Sequence, residues 1–435
     1  MPRTAKLPAP SFEIVHHTLA NGLRVVLLPD RSAPVVGIAV LYDVGIRSEP
    51  EGRTGFAHLF EHLMFQGSAN LEKLEHFRYV QSSGGVFNGS THFDYTNYFE
   101  VLPSNALERG LFLEADRMRS PRITEENLAN QLAVVKEEIR VNVMNRPYGG
   151  FPWLELPPVL FDTFANSHNG YGGFSDLESA TVADASDFFA KYYAPANAVL
   201  AVGGDFVVAD AIELIEKHFG GIEARQAPHR PDFGEPPLSA ERRAQTTDAH
   251  APLPAVAIGY RVPDPPKELA KHLANVLLVE ILSEGDASRL QRALVHRDHL
   301  VTDVSAYIGE FGDPFDERDP TALTITAHYP DPESLESILV AVDAVLADIA
   351  RDGLAPGELD RVRTRLVSSL LRQVDAVLQR TLAAAKFELI FDRAELLNEL
   401  PGLLVEVSDA DVVSAAAALK PDRRAVVELV AGGAR

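Results

Sequence analysis

Apolar positions follow two different periods along the first hundred residues. GLRVVLLPD (22–30) and VVGIAVLYDVG (35–45) are β-branched apolar runs bounded by Gly, Pro or Asp, and they predict strands. GFAHLFEHLMFQG (55–67) places apolar residues at helical spacing and closes on a glycine, which predicts a helix. LEKLEHFRYVQSSGG (71–85) predicts a second helix ending in a Gly pair, and GVFNGSTHFDYTNYFEVL (85–102), aromatic and β-branched, reads as strand. Two more helices are predicted near 105–120 and 124–144. DASDFFAKYYAPANAVLAVGGDF (184–206) then runs from helix to strand.

The pattern breaks at EARQAPHRPDFGEPPL (223–238), where prolines replace periodic apolar residues and mark a linker. After it the opening motif returns. PAVAIGYRVPDPP (254–266) resembles the strand at 35–45, and ELAKHLANVLLVEILSEG (268–285) resembles the helix at 55–67. The chain is therefore expected to hold two homologous α/β halves, residues 11–222 and 239–432, joined by 223–238. When the two helices are registered on Gly67 and Gly285, His58, Glu61 and His62 match Val276, Val279 and Glu280. The repeat keeps the helix and drops the histidines, so the fold itself does not require them.

Composition narrows the class. The chain has 435 residues, 46% hydrophobic and 23% charged, with a net charge of −22. That balance argues against nucleic-acid binding, which leaves a basic footprint. No apolar run is long enough to cross a bilayer. Cysteine is absent, which excludes disulfides, thiolate ligands and a cysteine nucleophile. No leader-like apolar stretch follows the first residues, so the expected compartment is the cytoplasm, or the periplasm if a signal peptide has been removed.

HLFEH (58–62) carries the candidate chemistry. Positions i, i+3 and i+4 share a helical face, so His58, Glu61 and His62 point the same way. Two imidazoles one turn apart can grip one Zn²⁺ at about 2.0–2.1 Å. Glu61 would then stand beside the metal as a general base for an activated water. A catalytic site needs a third protein ligand, and NQLAVVKEEIRVNVMN (130–145) offers Glu137 and Glu138, between which periodicity does not choose. His92 is the only loose candidate for a further imidazole ligand and is expected on the outer face of its strand.

HLFEH is the inverted zinc motif, and VVKEEIR follows at a matching distance. With NGLRVVLLPD, FNGSTHFDYTNYFEVLPSNALERGLFLEADRM and YYAPANAVLAVGGDF, these segments make the chain resemble the pitrilysin-type (inverzincin, M16) metallopeptidases, particularly the short-chain branch that includes the mitochondrial processing peptidase. The resemblance implies an α+β fold, each half a mainly antiparallel sheet packed with helices. It implies one Zn²⁺ per chain on His58, His62 and Glu138, with Glu61 as base. Asn88 and Gly89 would meet the substrate backbone, and the strand that begins there would take the peptide as an added edge strand. Where the family commonly has a second Glu supporting the metal site, this chain has Gln131, which can hydrogen-bond but carries no charge.

A second departure concerns the other half. Complete sites in the family use an Arg and a Tyr that help stabilise the oxyanion; aligned on Leu300, those positions hold Val295 and Thr302, with Arg297 and Tyr307 nearby but out of register. Losing oxyanion donors costs about 2.7–4 kcal/mol each. The expected function is therefore a zinc endopeptidase acting on unfolded peptides or small polypeptides, the metal-bearing subunit of a heterodimer whose related partner closes the chamber and supplies those donors. The alternatives are a non-catalytic scaffold of the same fold, as in respiratory complexes, or a peptide-binding subunit that uses zinc structurally. Neither nucleic acid nor membrane insertion is expected.

Overall fold

The computed structural model describes residues 11–432. Six strands form the first sheet: β1 (Val15–Thr18), β2 (Arg24–Pro29), β3 (Val35–Tyr42), β4 (Val86–Thr91), β5 (Thr96–Pro103) and β6 (Ala198–Gly204). Five form the second: β7 (Arg242–Asp248), β8 (Ala255–Val262), β9 (Asp303–Ile308), β10 (Thr321–His328) and β11 (Arg424–Ala431). Their orders are β1-β2-β6-β3-β5-β4 and β7-β11-β8-β10-β9. If β2 is matched with β7, every later neighbour corresponds. Each sheet has one parallel pair, β2 with β6 and β7 with β11, and is otherwise antiparallel. Each ends in an exposed edge, β4 in one and β9 in the other.

Both sheets are covered on both faces, and the alternation along each strand shows how. Val36, Ile38 and Val40 of β3 face the first half's own helices, α1 (Phe56–Leu63), α2 (Glu75–Ser82), α3 (Leu107–Arg119) and α4 (Glu125–Ile139). Ala39 and Leu41, pointing the other way, join a core built largely from the second half. The helix Val377–Phe391 lies on that face, against β3 and β6. Glycine admits it: a Cβ on Gly203 would overlap Thr381 Oγ1, and one on Gly37 would stand 3.0 Å from it.

The exchange runs in both directions. Phe151, Leu156, Leu160 and Phe161, from the first half, pack on Ala255 and Ala257 of β8 and on Ala425 and Val427 of β11. Val256 and Ile258 on the opposite face meet the helix Leu269–Ser283 and its neighbours. Residues 223–239 contain neither helix nor strand, yet they are tied down. Arg230 bonds Asp43, Asp94 and Asp319, and Glu235 accepts from Thr163 and Asn166.

Two elements differ from the sequence reading. The 85–102 stretch is a hairpin, β4 and β5, whose turn at His92–Asp94 carries no Gly or Pro to announce it. The first helix stops at Leu63, and a non-helical turn leads to Gly67, whose φ is +103°. Among the described residues no helix is long and apolar enough to cross a membrane.

Candidate metal centre

The helix α1 is held from its N-terminus. Gly55 precedes it with φ +82°, and a Cβ there would collide with the Tyr171 carbonyl. The buried Glu49 carboxylate accepts from the backbone N–H groups of Gly55 (2.9 Å) and Ala57 (2.7 Å), which the first helical turn leaves without partners. His168 Nε2 meets the same carboxylate at 3.0 Å. Phe56, Leu59, Phe60 and Leu63 are buried, with Phe60 stacked among Phe188, Phe189 and Tyr193. The helix is therefore fixed in rotation, and His58, Glu61 and His62 occupy its half-buried face.

That face meets the last turn of α4, whose N-cap Thr124 accepts from Asn127 N–H. Glu138 turns inward: its carboxylate oxygens stand 3.8 Å from His58 Nε2 and 3.4 Å from His62 Nε2. Glu137 turns outward and pairs with Arg140 at 3.1 Å. One donor atom each from His58, His62 and Glu138 lies within 4.8 Å of the others. Two imidazole nitrogens and a carboxylate at that separation suit a tetrahedral cation that keeps one position open.

Glu61 does not join the three. Its Oε2 accepts from Thr91 Oγ1 at 2.6 Å. Thr91 and Gly89 share the α1-facing side of β4, and a Cβ on Gly89 would come to 3.3 Å from Glu61 Oε1. Gln131 is buried, and its Oε1 lies 3.3 Å from His62 Nδ1, which assigns that nitrogen the proton and turns Nε2 toward Glu138. Tyr171 donates to Glu138 Oε1 at 3.1 Å and packs edge-on against His58.

Charge is distributed unevenly across the group. Burial, then the nearby His62, pushes the His58 imidazole down to about 4. Burial also disfavours His62⁺, but hydrogen bonding to Glu138 and the charge of Glu61 outweigh it and hold His62 above its usual value. The His62 hydrogen bond holds Glu138 low against its partial burial. Burial raises Glu61, opposed by the Thr91 hydrogen bond. A cation entering this site would displace the His62 proton and inherit a neutral His58 and an ionised Glu138.

The remaining expectations divide. Gly89 lines the cavity beside α1, but Asn88 is exposed on the opposite face of β4. His92 is not on the outer face of a strand; it sits in the β4–β5 turn, 3.1 Å from Asp316 and stacked on Tyr95, apart from the metal cluster. Val295 packs against the second core and Thr302 is exposed, and neither lines the cavity. Arg297 is exposed and paired with Asp298. Tyr307, out of register in the sequence, does line the cavity, opposite His58 and Glu61. Thr91 had a readable signal, two residues from Gly89 and so on its face of the strand; Glu49, His168 and Tyr171 had none, because only the fold brings them to α1.

Comparison with known proteins places the chain in a family. The insulinase (peptidase family M16) family model matches residues 24–148, and the M16 inactive-domain model matches 179–366. The zinc protease PqqE of Helicobacter pylori is 30% identical over 388 residues, 86% of this chain and 83% of that one. A protease of known structure from the same organism superposes with a TM-score of 0.86 at 28% identity, covering 97% of this chain and 100% of that one. The periplasmic protease PqqL of Escherichia coli shares the fold, with a TM-score of 0.77 at 19% identity, over 97% of this chain and 48% of that one.

Proposed function

Since the chain belongs to the M16 peptidase family, we propose that it is a zinc-dependent endopeptidase that hydrolyses unfolded peptides or small polypeptides. One observation carries the reading: His58, His62 and Glu138 converge, while Glu61 stands beside them in the same cavity, uncommitted to the cluster and held by Thr91. The domain model described as inactive begins at residue 179, lies mostly in the half that lacks the histidine motif, and includes none of these residues.

Zinc bound by these three residues supplies Lewis acidity, polarising a carbonyl and acidifying water. The chain's own groups do the rest. The peptide pairs with the free edge of β4, which presents its backbone along Gly89, Ser90 and Thr91. Glu61 takes a proton from the attacking water and delivers it to the leaving amine. Thr91 fixes the carboxylate's orientation, and Gln131 and Tyr171 fix His62 and Glu138.

We further propose that the chain works as the metal-bearing member of a pair. Among the described residues no arginine or lysine lines the cavity. Tyr307 contributes a phenol in cis, but a cationic oxyanion donor has to come from a related partner subunit. The chain's fold covers about half of the PqqL chain, so a fold with room for two such units exists. The test is peptidase activity with zinc on mixed unstructured peptides, for the chain alone and with a related chain carrying the Arg and Tyr, using Glu61→Gln as control. Activity confined to the pair and absent from the control is expected. Full activity of the single chain would remove the heterodimer, and bound zinc with no cleavage in either setting would favour a peptide-binding scaffold.

A further inference from the structure

Away from α1, the first half buries a second group of potential ligands. His76 comes from α2, Glu100 from β5 and Glu114 from α3, and one donor atom from each lies within 4.8 Å of the others. None of the three is more than 7% exposed. Their spacing resembles that of the candidate site. His76 Nε2 stands 3.7 Å from Glu100 Oε2, against the 3.8 and 3.4 Å that separate His58 and His62 from Glu138. That gap is too long for a hydrogen bond. It suits two ligands of one cation, since atoms that each bind Zn²⁺ at about 2.0–2.1 Å stand within about 4.2 Å of each other.

The fold makes room for this group and leaves it unsatisfied. Gly110 of α3 faces it: a Cβ there would come within 2.6 Å of Glu100 Oε1. Both oxygens of Glu100 and Oε2 of Glu114 are buried, and they accept no hydrogen bond among the described residues. Buried polar atoms without partners are costly and call for a ligand. Arg117 does not meet the need. Its Nη2 donates to the other oxygen of Glu114 at 2.7 Å, and its guanidinium lies over the rings of Phe65 and Tyr98, 4.7 and 4.6 Å from their centroids. One guanidinium balances only one of the two carboxylates. Arg117 Nη2 also lies 3.0 Å from His76 Nε2, and a guanidinium can only donate, so that nitrogen carries a lone pair. Burial, then Arg117, hold the imidazole well below its usual value, in the neutral form that ligates metals.

We propose that His76, Glu100 and Glu114 hold a second divalent metal ion, structural in role and best suited to zinc. The donors are one imidazole nitrogen, Glu114 Oε2 and both oxygens of Glu100. These four atoms close a coordination shell without water, as structural zinc sites do. Loading takes the imidazole nitrogen from Arg117, which keeps Glu114 Oε1. It also ionises Glu100, whose carboxyl burial and then Glu114 push up. The ion would staple α2 to β5 and α3. That helix has little else to fix it: it is eight residues long, starts from Leu74 at φ +67° without a side-chain cap, and packs on β4. The His76 ring rests against Phe87 of β4 and Phe65 just beyond α1, so the staple braces the free edge strand from behind. A proton shared by Glu100 and Glu114 is the competing occupant, but it joins two of the three residues and leaves out His76.

The test counts metal. The full chain is produced with zinc in excess and dialysed before elemental analysis. Two zinc ions per chain are expected, falling to one in His62→Ala, to one in Glu100→Gln and to none when the two substitutions are combined. Cobalt(II) supplied to the His62→Ala protein in place of zinc should show the visible absorption of a low-symmetry site, and Glu100→Gln should remove it. The buried ion should pass to a chelator more slowly than the ion on α1, because its release requires α2 to open. Far-ultraviolet circular dichroism checks the fold, and His76→Gln replaces Glu100→Gln if that variant does not fold. A folded His62→Ala protein without metal would overturn the site and leave the two acids sharing a proton. A metal in that protein that survives both Glu100→Gln and His76→Gln would overturn it equally, since the ion would then sit elsewhere.

Discussion

The two halves build the same helix beside the same edge strand and put different chemistry on it. In the first, α1 lies against β4 and presents His58, Glu61 and His62. In the second, Leu269–Ser283 lies against β9, and the matched positions hold Val276, Val279 and Glu280. The cavity there, ≈ 390 Å³, is lined mainly by apolar groups such as Leu370 and Phe387. Glu280 is pushed up to about 7 by burial and then by Glu284, so it is a partly neutral acid among hydrophobic neighbours. The scaffold is thus indifferent to the metal residues. What distinguishes the candidate site from its counterpart is Glu138 on α4 and the polar contacts behind it.

The comparison breaks hardest at the ligands. His62→Ala should abolish zinc binding at the α1 site, measured as the loss of one metal per chain by elemental analysis after dialysis, together with activity, because two donors rarely hold a catalytic zinc. Glu61→Gln should keep the zinc and lower kcat by about 10²–10⁴-fold, the range of general acid–base catalysis. Gln131→Ala should weaken zinc about 10–100-fold in competition with a chelator, since the contact that orients His62 is lost. The smallest effect belongs to the matched helix of the second half. A carboxyl whose pKa is raised by folding stabilises the fold below its unfolded value near 4.5 and loses that contribution as pH rises through about 7. Glu280→Gln should therefore leave zinc binding unchanged and raise stability by about 1 kcal/mol at pH 8, discounted for partial solvent access, with no gain near pH 4. Thermal melts at both pH values check the sign.

The candidate metal face was legible because it obeys helical spacing over five residues, and spacing survives without tertiary information. The strands β2, β3, β6 and β8 were legible in the same local way, since β-branched and apolar runs bounded by Gly, Pro or Asp need no partner to be seen; β1, β7, β9, β10 and β11 were not read, and β1 (VHHT) and β7 (RRAQTTD) carry no such run. Periodicity did not choose Glu138 over Glu137, for adjacent residues on α4 differ only in which neighbour they meet; only the family resemblance singled out Glu138. Asn88 shows the other limit: the motif identifies the strand, but the pleat turns Asn88 away and brings Gly89 and Thr91 to α1. Tyr171 and His168 lie more than a hundred residues from His58 in sequence, and no local period links them.

The crossed packing of the halves reaches beyond the site. Cutting the chain within 223–238 would leave each fragment with one bare sheet face, because Val377–Phe391 covers the first sheet and Phe151–Phe161 covers the second. Neither piece should fold alone, yet the two together should reassemble, as complementing fragments do. Heating the intact chain should then melt both halves in one cooperative transition, so that the rigidity of α1 depends on both halves at once.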